Sequence, residues 1–240
     1  MSQPDYQCGA DPALIQQIVD GNRILAKNKI VDAFGHLSAR HPSDPNLYLV
    51  ARHLAPDLVK PEDIVAFKLD SEPVVATDFR FYSERFIHGA IYRARPDVHA
   101  IVHCHAPSLI PFGAARYSLR PIFHMCGFLG YGCAHYDIKE ASGATDMLVR
   151  DAVRAAALAK ELGDKPMVLM RGHGATVVGK SIIQAVHRTY YATVNAQLQM
   201  DALRLGEPVY LDDDEAKLSA AANDHSSDRA WALWKNELDA

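Results

Sequence analysis

Two histidines separated by one residue follow a short apolar segment near the middle of the chain. Residues 98–102 are mostly apolar and Pro96 blocks a helix before them, so they are predicted to form a buried strand that runs into His103-Cys104-His105. Because successive side chains of a strand point to opposite faces, His103 and His105 share one side of the sheet. Two imidazoles in that arrangement can bind one metal ion, and histidine is the commonest metal ligand.

A third histidine follows another apolar run. Residues 167–170 lead into Arg171-Gly172-His173-Gly174, which is predicted to be a glycine-flanked turn between two strands. Three protein ligands leave coordination positions open for a substrate, so His103, His105 and His173 are predicted to form a catalytic metal site. Neutral imidazoles leave the ion its positive charge, which suits it to polarise a carbonyl or enolate oxygen. The competing interpretation is chance, because the chain contains twelve histidines.

Glu84 precedes this strand by one predicted helix and is a candidate general acid or base, or a carboxylate ligand of the metal. The competing interpretation is an exposed glutamate at a helix start, where the helix dipole favours negative charge. The pattern fits other His-x-His metal proteins poorly, since residues 106–113 contain no glutamate and the motif falls in mid-chain. An iron site with two histidines and one carboxylate would need Glu84 as a ligand.

Composition excludes several classes of function. The net charge of -4 argues against nucleic acid or an anionic membrane as the main partner. The sequence contains no apolar run near the roughly 20 residues of a membrane span, and its N-terminus lacks the pattern of a signal peptide. The four cysteines show no Cys-x-x-Cys spacing, so reduced thiols in a cytoplasmic protein are expected.

Elements of both kinds alternate around these residues. In the first half, the sequence predicts a helix that begins after Asp11, a short strand that ends at Arg40, and strands at 47–50 and 64–69. Residues 74–76 are predicted to pair with the last of these as a hairpin, and Ser83 is predicted to cap the next helix.

In the second half, the sequence predicts a helix at 107–115 and an irregular, glycine-rich passage at 121–137. A helix over 143–162, ended by Gly163, precedes the strand that leads to His173 and its hairpin partner at 176–179. A long helix from Ser181 and a helical tail packed through Trp231 and Trp234 complete the chain. No linker interrupts this series, so one domain over residues 1–240 with an α/β layered fold is predicted.

Five segments, taken in order, resemble the class II aldolase/adducin family. They are Gly35-His36-Leu37-Ser38-Ala39-Arg40, Pro61-Glu62-Asp63-Ile64-Val65, Ser83-Glu84, His103-Cys104-His105 and Gly172-His173-Gly174. The resemblance implies a three-layer α/β/α sandwich around a mainly antiparallel sheet, assembled as a homotetramer with active sites between subunits. It also implies that the three histidines bind a divalent metal, typically zinc, with Mn²⁺, Co²⁺ or Mg²⁺ as alternatives. Glu84 is implied as the acid/base residue.

The sequence departs from the sugar-phosphate aldolases of that family at the substrate positions. Arg52-His53 stands where they carry a Thr-Gly pair, Tyr82-Ser83 where they carry a Ser-Ser pair, and His36 where they carry an asparagine. Compared with those aldolases, this chain lacks the small phosphate-binding groups and has a guanidinium instead. The change favours a planar carboxylate over a phosphate as the substrate group. We therefore expect His36, Arg52, His53 and Ser83 to contact the substrate.

Segments 52–56 and 82–89 resemble the decarboxylase branch of the family. That branch acts on 2-hydroxy-3-carboxymuconate semialdehyde or dihydroxyphthalates in aromatic catabolism, so a metal-dependent decarboxylase of a small carboxylated substrate is predicted. Tyr131 and Tyr190 are candidate proton donors, within one chain or across a subunit boundary, and a packing role is the competing interpretation for each. Two alternatives stay open. One is an aldolase for a non-phosphorylated hydroxy-carbonyl compound, and the other is a non-catalytic, adducin-like scaffold, which would have lost the metal ligands.

Overall fold

A computed structural model describes residues 5–238 of the 240-residue chain. Within these residues, seven strands form one sheet in the order β3-β2-β1-β4-β7-β6-β5, in which every neighbouring pair is antiparallel except β5 and β6. The strands are β1 (His36–Arg40), β2 (Leu47–Ala51), β3 (Ile64–Lys68), β4 (Ala100–Cys104), β5 (Ala134–Tyr136), β6 (Met167–Met170) and β7 (Gly174–Gly179). This is the predicted α/β fold with a mainly antiparallel sheet.

Helices cover both faces of the sheet. They are α1 (Pro12–Lys27), α2 (Arg85–Ala94), α3 (Ile110–Ala115), α4 (Ile138–Ser142), α5 (Ala152–Leu162), α6 (Ile182–Leu205) and α7 (Asp213–Leu238). Short 3-10 helices lie at Pro56–Leu58 and Pro61–Asp63, and a longer one lies at His124–Tyr131.

Side-chain alternation in β1 separates the two helical layers. Leu37 faces α1 and α6, since a Cβ placed on Gly21 of α1 would contact Leu37 and Ile182 of α6. Ser38 points the opposite way and is hydrogen-bonded to His88 of α2. Helices α1 and α6 pack together on the first face, and α2 packs with α5 on the second. The central strands are therefore buried on both sides, which explains the continuous apolar run at residues 100–102 of β4.

Helix boundaries agree with the prediction at several places. The Asp11 carboxylate accepts a hydrogen bond from the Ala13 N–H at the start of α1, and the Ser181 hydroxyl accepts one from the Gln184 N–H at the start of α6. Gly163 ends α5 with a positive φ of 55°. Trp231 and Trp234 of α7 are buried, as predicted.

The predicted helix over 143–162 is wrong in its first half. Helix α5 begins only at Ala152, after its cap Asp151, and α4 ends at Ser142. Gly143 and Met147 both have positive φ, of 70° and 69°, which a helix cannot contain. The segment between α4 and α5, residues 143–151, is therefore an irregular loop; we refer to it as the 143–151 loop.

Three smaller predictions also need correction. Residues 74–76 form no strand: only Pro73 bridges to Phe67, and a proline cannot donate to a ladder. Glu84, rather than Ser83, occupies the cap position of α2. The passage at 121–137 is more ordered than predicted, because it contains the long 3-10 helix and strand β5, which pairs with β6.

The described part of the chain has no helix of sufficient length and hydrophobicity to cross a membrane.

Candidate active site

Four buried or half-buried side chains converge at one end of the central strands. Nε2 of His105 lies 3.1 Å from Nε2 of His103 and 3.0 Å from Nε2 of His173. A carboxylate oxygen of Glu84 lies 3.5 Å from Nε2 of His103 and 3.4 Å from Nε2 of His173. All four ligand atoms lie within 4.8 Å of one another. The structure thus brings together the three predicted histidines and Glu84.

Strand register explains this convergence. His103 lies in β4 and His105 directly after it, and β4 lies between β1 and β7. His173 lies in the turn between β6 and β7. Gly174, the first residue of β7, pairs with Met170, the last residue of β6. A Cβ at Gly174 would overlap the Cys104 carbonyl oxygen and come within 3.0 Å of the His105 Cα. Glycine at this position therefore allows the two histidine segments to approach closely.

Outer hydrogen bonds orient two of the imidazoles. Nδ1–H of His173 donates to the Met147 carbonyl oxygen (2.9 Å). Nδ1–H of His103 donates to the Thr176 hydroxyl oxygen (3.2 Å), because the Thr176 hydroxyl itself donates to the Met170 sulfur. Both rings therefore turn an unprotonated Nε2 toward the centre of the cluster, as metal-binding histidines do.

The donor set fits a divalent cation. The unprotonated Nε2 atoms of His103 and His173 both face His105 and the Glu84 carboxylate. Without a positive charge between them, the lone pairs of these atoms repel one another. Two nitrogens each about 2.1 Å from one ion lie about 3.0–3.4 Å apart, which agrees with the spacing of these Nε2 atoms. His103, His105 and His173 would hold the ion, with Glu84 next to it.

Burial sets the charge of these groups. Desolvation lowers the pKa of His105 to about 4 and also lowers the pKa of His103, so both rings are neutral near pH 7. Burial would raise the pKa of Glu84, but the neighbouring imidazoles of His103 and His173 outweigh it and hold that pKa well below its ordinary value. For His173 burial lowers the pKa, yet the interaction with Glu84 leaves it raised.

Glu84 is not the exposed helix-start residue of the competing interpretation. It is 6% exposed, and its second carboxylate oxygen accepts a hydrogen bond from the Val149 N–H (2.9 Å). The 143–151 loop thus contacts the cluster twice, through the Met147 carbonyl to His173 and through the Val149 N–H to Glu84. Backbone groups carry no residue-type signal, so sequence patterns do not reveal these contacts.

A cavity of about 490 Å³ opens beside the cluster. Glu84 and His105 line it together with three of the predicted substrate-binding residues, His36, His53 and Ser83. The other walls are mainly apolar. They consist of Ala33, Phe34, Gly35, Leu54, Ala55, Tyr82 and Leu148. A cavity of this size, with apolar walls and a few polar groups at one end, is typical of small-molecule sites.

Two predicted site residues do not line this cavity. Nε of Arg52 donates to the buried Asp63 carboxylate (2.7 Å), and Arg52 lines a separate cavity with Asp63 and Phe79. Arg52 and His53 are consecutive, and only His53 reaches the cavity beside the cluster. Tyr131 is 51% exposed and lines a third cavity with Arg188, so it donates no proton to the cluster of its own chain.

Sequence reasoning missed a buried polar group behind His36. His88 and Tyr92 of α2 and Ser38 of β1 form a hydrogen-bonded series that ends at His36. Burial lowers the pKa of His88 to about 3. The available signal was the spacing, because His36 and Ser38 share a strand face and His88 and Tyr92 share a helix face.

Comparisons with known proteins agree with this geometry. Residues 16–200 match the family model described as "Class II Aldolase and Adducin N-terminal domain". The chain is 32% identical to decarboxylase tropJ of Talaromyces stipitatus over 94% of each chain, and 28% identical to 3,4-dihydroxyphthalate decarboxylase of Arthrobacter keyseri over 87% of each. L-fuculose 1-phosphate aldolase from Glaciozyma antarctica shares the fold, with a TM-score of 0.78 at 20% identity over 98% of this chain and 94% of that one.

Proposed function

Since the chain belongs to the class II aldolase and adducin family, we propose that it is a metal-dependent decarboxylase. Its substrate would be a hydroxylated aromatic acid or ring-cleavage product, of the dihydroxyphthalate or 2-hydroxy-3-carboxymuconate semialdehyde type. The observation that carries the proposal is the cluster of His103, His105, His173 and Glu84 at the end of a cavity with largely apolar walls.

Two further features support an aromatic substrate. Relatives aligned with most of the chain bear decarboxylase names, and one is named for dihydroxyphthalate. Phe34, Tyr82, Leu54 and Leu148 offer apolar surface on which a planar ring can pack, while His36, His53 and Ser83 offer hydrogen bonds to its oxygens.

A divalent ion, zinc in our proposal, would stabilise the negative charge that develops on substrate oxygens as carbon dioxide leaves. His103, His105 and His173 would hold that ion, and the Met147 carbonyl and the Thr176 hydroxyl keep two of these rings in the ligating tautomer. His36, His53 and Ser83 would bind and orient the carboxylated ring, and the apolar walls would exclude water from it.

Glu84 would move the proton. Because its carboxylate is ionised, it can accept the proton of a substrate hydroxyl at the oxygen that faces the cluster. The bond to the departing carboxylate then breaks, and its electron pair passes into the ring or enolate. The same Glu84 oxygen returns the proton to the carbon that lost carbon dioxide, and the phenolate or enolate oxygen then takes one proton from solvent, so the overall change is replacement of a carboxylate by hydrogen.

The test is the product. Zinc-loaded protein is incubated with 3,4-dihydroxyphthalate or 2-hydroxy-3-carboxymuconate semialdehyde, and we expect release of one carbon dioxide per substrate. The metal-free protein and the His103→Ala variant are the controls.

A retro-aldol reaction makes the same demand for charge stabilisation, so aldehyde and ketone products without carbon dioxide would favour an aldolase. A protein that binds no divalent ion and turns over none of these compounds would favour the scaffold alternative.

We also propose a cytoplasmic homotetramer with active sites between subunits, as the family resemblance implies. In that assembly, the exposed Tyr131 hydroxyl would serve the cavity of a neighbouring subunit.

A further inference from the structure

A series of four buried side chains leads from α2 to the substrate cavity. Nδ1 of His36 lies 2.7 Å from Nε2 of His88, and Nδ1 of His88 lies 2.6 Å from the Ser38 hydroxyl. The Ser38 hydroxyl lies 2.8 Å from the Tyr92 hydroxyl. All four residues are at most 4% exposed. We call this series the buried relay.

The relay follows from two periodicities. His36 and Ser38 are two residues apart on β1 and point to the same face of the sheet. His88 and Tyr92 are four residues apart on α2 and point toward that face. No carboxylate is hydrogen-bonded to either ring among residues 5–238, so each fully buried imidazole carries a single proton.

Only one direction of hydrogen bonding pairs every donor of the relay that has no access to the cavity, and it leaves the single remaining N–H on the His36 ring that lines the cavity. If Tyr92 donates to Ser38, then Ser38 donates to Nδ1 of His88, and Nε2–H of His88 donates to Nδ1 of His36. In the reverse direction, the Tyr92 or the Ser38 hydroxyl proton is left without an acceptor, because the Tyr92 hydroxyl has no partner other than Ser38 in the described structure. An unpaired buried donor costs about 1–3 kcal/mol.

The favoured direction leaves the proton of His36 on Nε2. That nitrogen has no hydrogen-bond partner within residues 5–238, and the ring lines the cavity beside the cluster. The His36 ring lies 5.1 Å from the His103 ring between centroids, since the two residues are paired across β1 and β4. Tyr82, whose ring lies 4.6 Å from that of His36 between centroids, holds it from another side.

We propose that the buried relay fixes His36 as the Nε2–H tautomer, so that the cavity presents a neutral N–H donor to an anionic substrate oxygen next to the metal ligands. His36 is then a substrate-binding residue, while His88, Ser38 and Tyr92 are positioning residues that act through it. The assignment of the His36 tautomer does not depend on the proposed function. The role of His36 toward a carboxylated substrate rests on the proposed function.

The tautomer is measured by magic-angle-spinning NMR of microcrystals of the zinc-loaded protein with ¹⁵N-labelled histidine. The His36 signals are assigned by their loss in the His36→Gln variant. We expect a protonated Nε2 and an unprotonated Nδ1 for His36, because protonated and bare ring nitrogens have well-separated shifts. A protonated Nδ1 on His36 would overturn the proposal.

The relay itself is tested with the His88→Leu variant, which removes the donor to Nδ1 of His36. We expect His36 to show both tautomers or the Nδ1–H form. The matched control is His187→Leu, which replaces another buried histidine outside the cavity and should leave the His36 signals unchanged. An unchanged His36 tautomer in His88→Leu would assign His88 a merely structural role. If that variant does not fold, the NMR of the native protein and the binding comparison below still decide the proposal.

Substrate contact is tested by calorimetric titration with 2,3-dihydroxybenzoate, a catechol carrying a carboxylate. We expect the Kd to rise about 10- to 100-fold in His36→Leu, which has no donor, and to stay within about 3-fold of the native value in His36→Gln, which retains an N–H. Equal weakening in both variants would overturn the donor role. Carbon dioxide release is followed in parallel, and an Nε2–H tautomer without turnover supports the relay while it overturns the proposed function.

Discussion

Glu84 stands at the start of α2, where a glutamate is ordinarily exposed to solvent, but its carboxylate is buried. One carboxylate oxygen accepts a hydrogen bond from the Val149 N–H and the other faces His103 and His173, which keep the pKa of Glu84 low. Glu84→Gln retains an oxygen acceptor for Val149 but cannot carry a proton, so we expect kcat to fall about 10²- to 10⁴-fold. Steady-state kinetics and the zinc content of the variant separate the two roles. Unchanged kcat would remove Glu84 from the chemistry, and loss of zinc would make it a ligand.

His103 is the most deeply buried member of the cluster, and its Nδ1–H is hydrogen-bonded to the Thr176 hydroxyl. We expect His103→Ala to lose bound zinc and activity while the circular dichroism spectrum of the fold is retained. His99→Ala is the matched control, because His99 precedes the same strand but is exposed and outside the cluster. Zinc retained at one equivalent per chain in His103→Ala would contradict the ligand assignment.

Residue types predicted the cluster better than they predicted its neighbours. Three histidines and Glu84 have few alternative roles once strand alternation and a glycine turn align them, and they do converge. Arg52 illustrates the opposite case. Its guanidinium suits a substrate carboxylate as well as it suits Asp63, and only the fold decides that Asp63 is the nearer carboxylate.

At the scale of elements, the close contact between β4 and β7 determines the geometry of the site. Gly174→Ala would force its Cβ into the Cys104 carbonyl, which lies between His103 and His105 in the chain. We expect the free energy of unfolding to drop by about 2–4 kcal/mol and the zinc affinity to fall as His173 moves away from His105.

Gly143→Ala is the control for this substitution, since Gly143 has positive φ but open space around it. Only backbone strain of about 1 kcal/mol is expected there, with zinc affinity unchanged. Urea unfolding and a zinc competition titration measure both effects. Equal losses in the two variants would show that the contact between β4 and β7 does not control the metal site.

The 143–151 loop shows where prediction from the sequence reaches its limit. Its apolar residues continue the pattern of α5, so a helix was the natural prediction. The loop instead directs its backbone groups to His173 and Glu84, and Met147 adopts positive φ. Such strained non-glycine conformations concentrate at functional sites, where tertiary contacts override local preference.

At the scale of the whole molecule, several buried histidines make the metal-free protein sensitive to acid. Burial lowers the pKa of His88 to about 3, and of His105 and His187 to about 4, whereas an unfolded chain binds these protons near pH 6.5. The unfolded state therefore binds more protons between these values, and stability is lost as pH falls from about 6.5 toward 4.

Each such histidine contributes a slope of at most about 1.4 kcal/mol per pH unit in that window. Urea unfolding of the metal-free protein between pH 7 and pH 5 measures the total. His187→Phe removes one titrating group outside the cluster. It should reduce the slope of stability against pH by the contribution of one proton, at most about 1.4 kcal/mol per pH unit. A stability that does not change with pH over this range would contradict neutral burial of these rings.

Much of the overall architecture was predictable. Short apolar strands that alternate with capped helices along the chain specify the layers, and the family resemblance specifies the mainly antiparallel sheet. The parts that were missed depend on distant contacts: β5 forms only because β6 pairs with it, and the buried relay joins β1 to α2. The single domain over residues 1–240 and the homotetramer stay predictions.

The tetramer predicts that active sites are shared between subunits. Hybrid oligomers of His103→Ala and Tyr131→Phe chains should then regain activity that neither variant has alone, since some cavities would combine intact histidines with an intact Tyr131. Mixing after partial denaturation, followed by carbon dioxide release, measures this. Fully active Tyr131→Phe homo-oligomers would exclude Tyr131 as the proton donor.

The ligand set of the bound metal decides whether the three imidazoles surround one cation. Elemental analysis together with zinc K-edge X-ray absorption of the purified protein is the measurement. We expect one ion per chain, with three histidine nitrogens in its first shell that are lost in His103→Ala. A protein that carries no divalent ion and is indifferent to chelators, or a zinc shell without three imidazoles, would contradict the proposed chemistry.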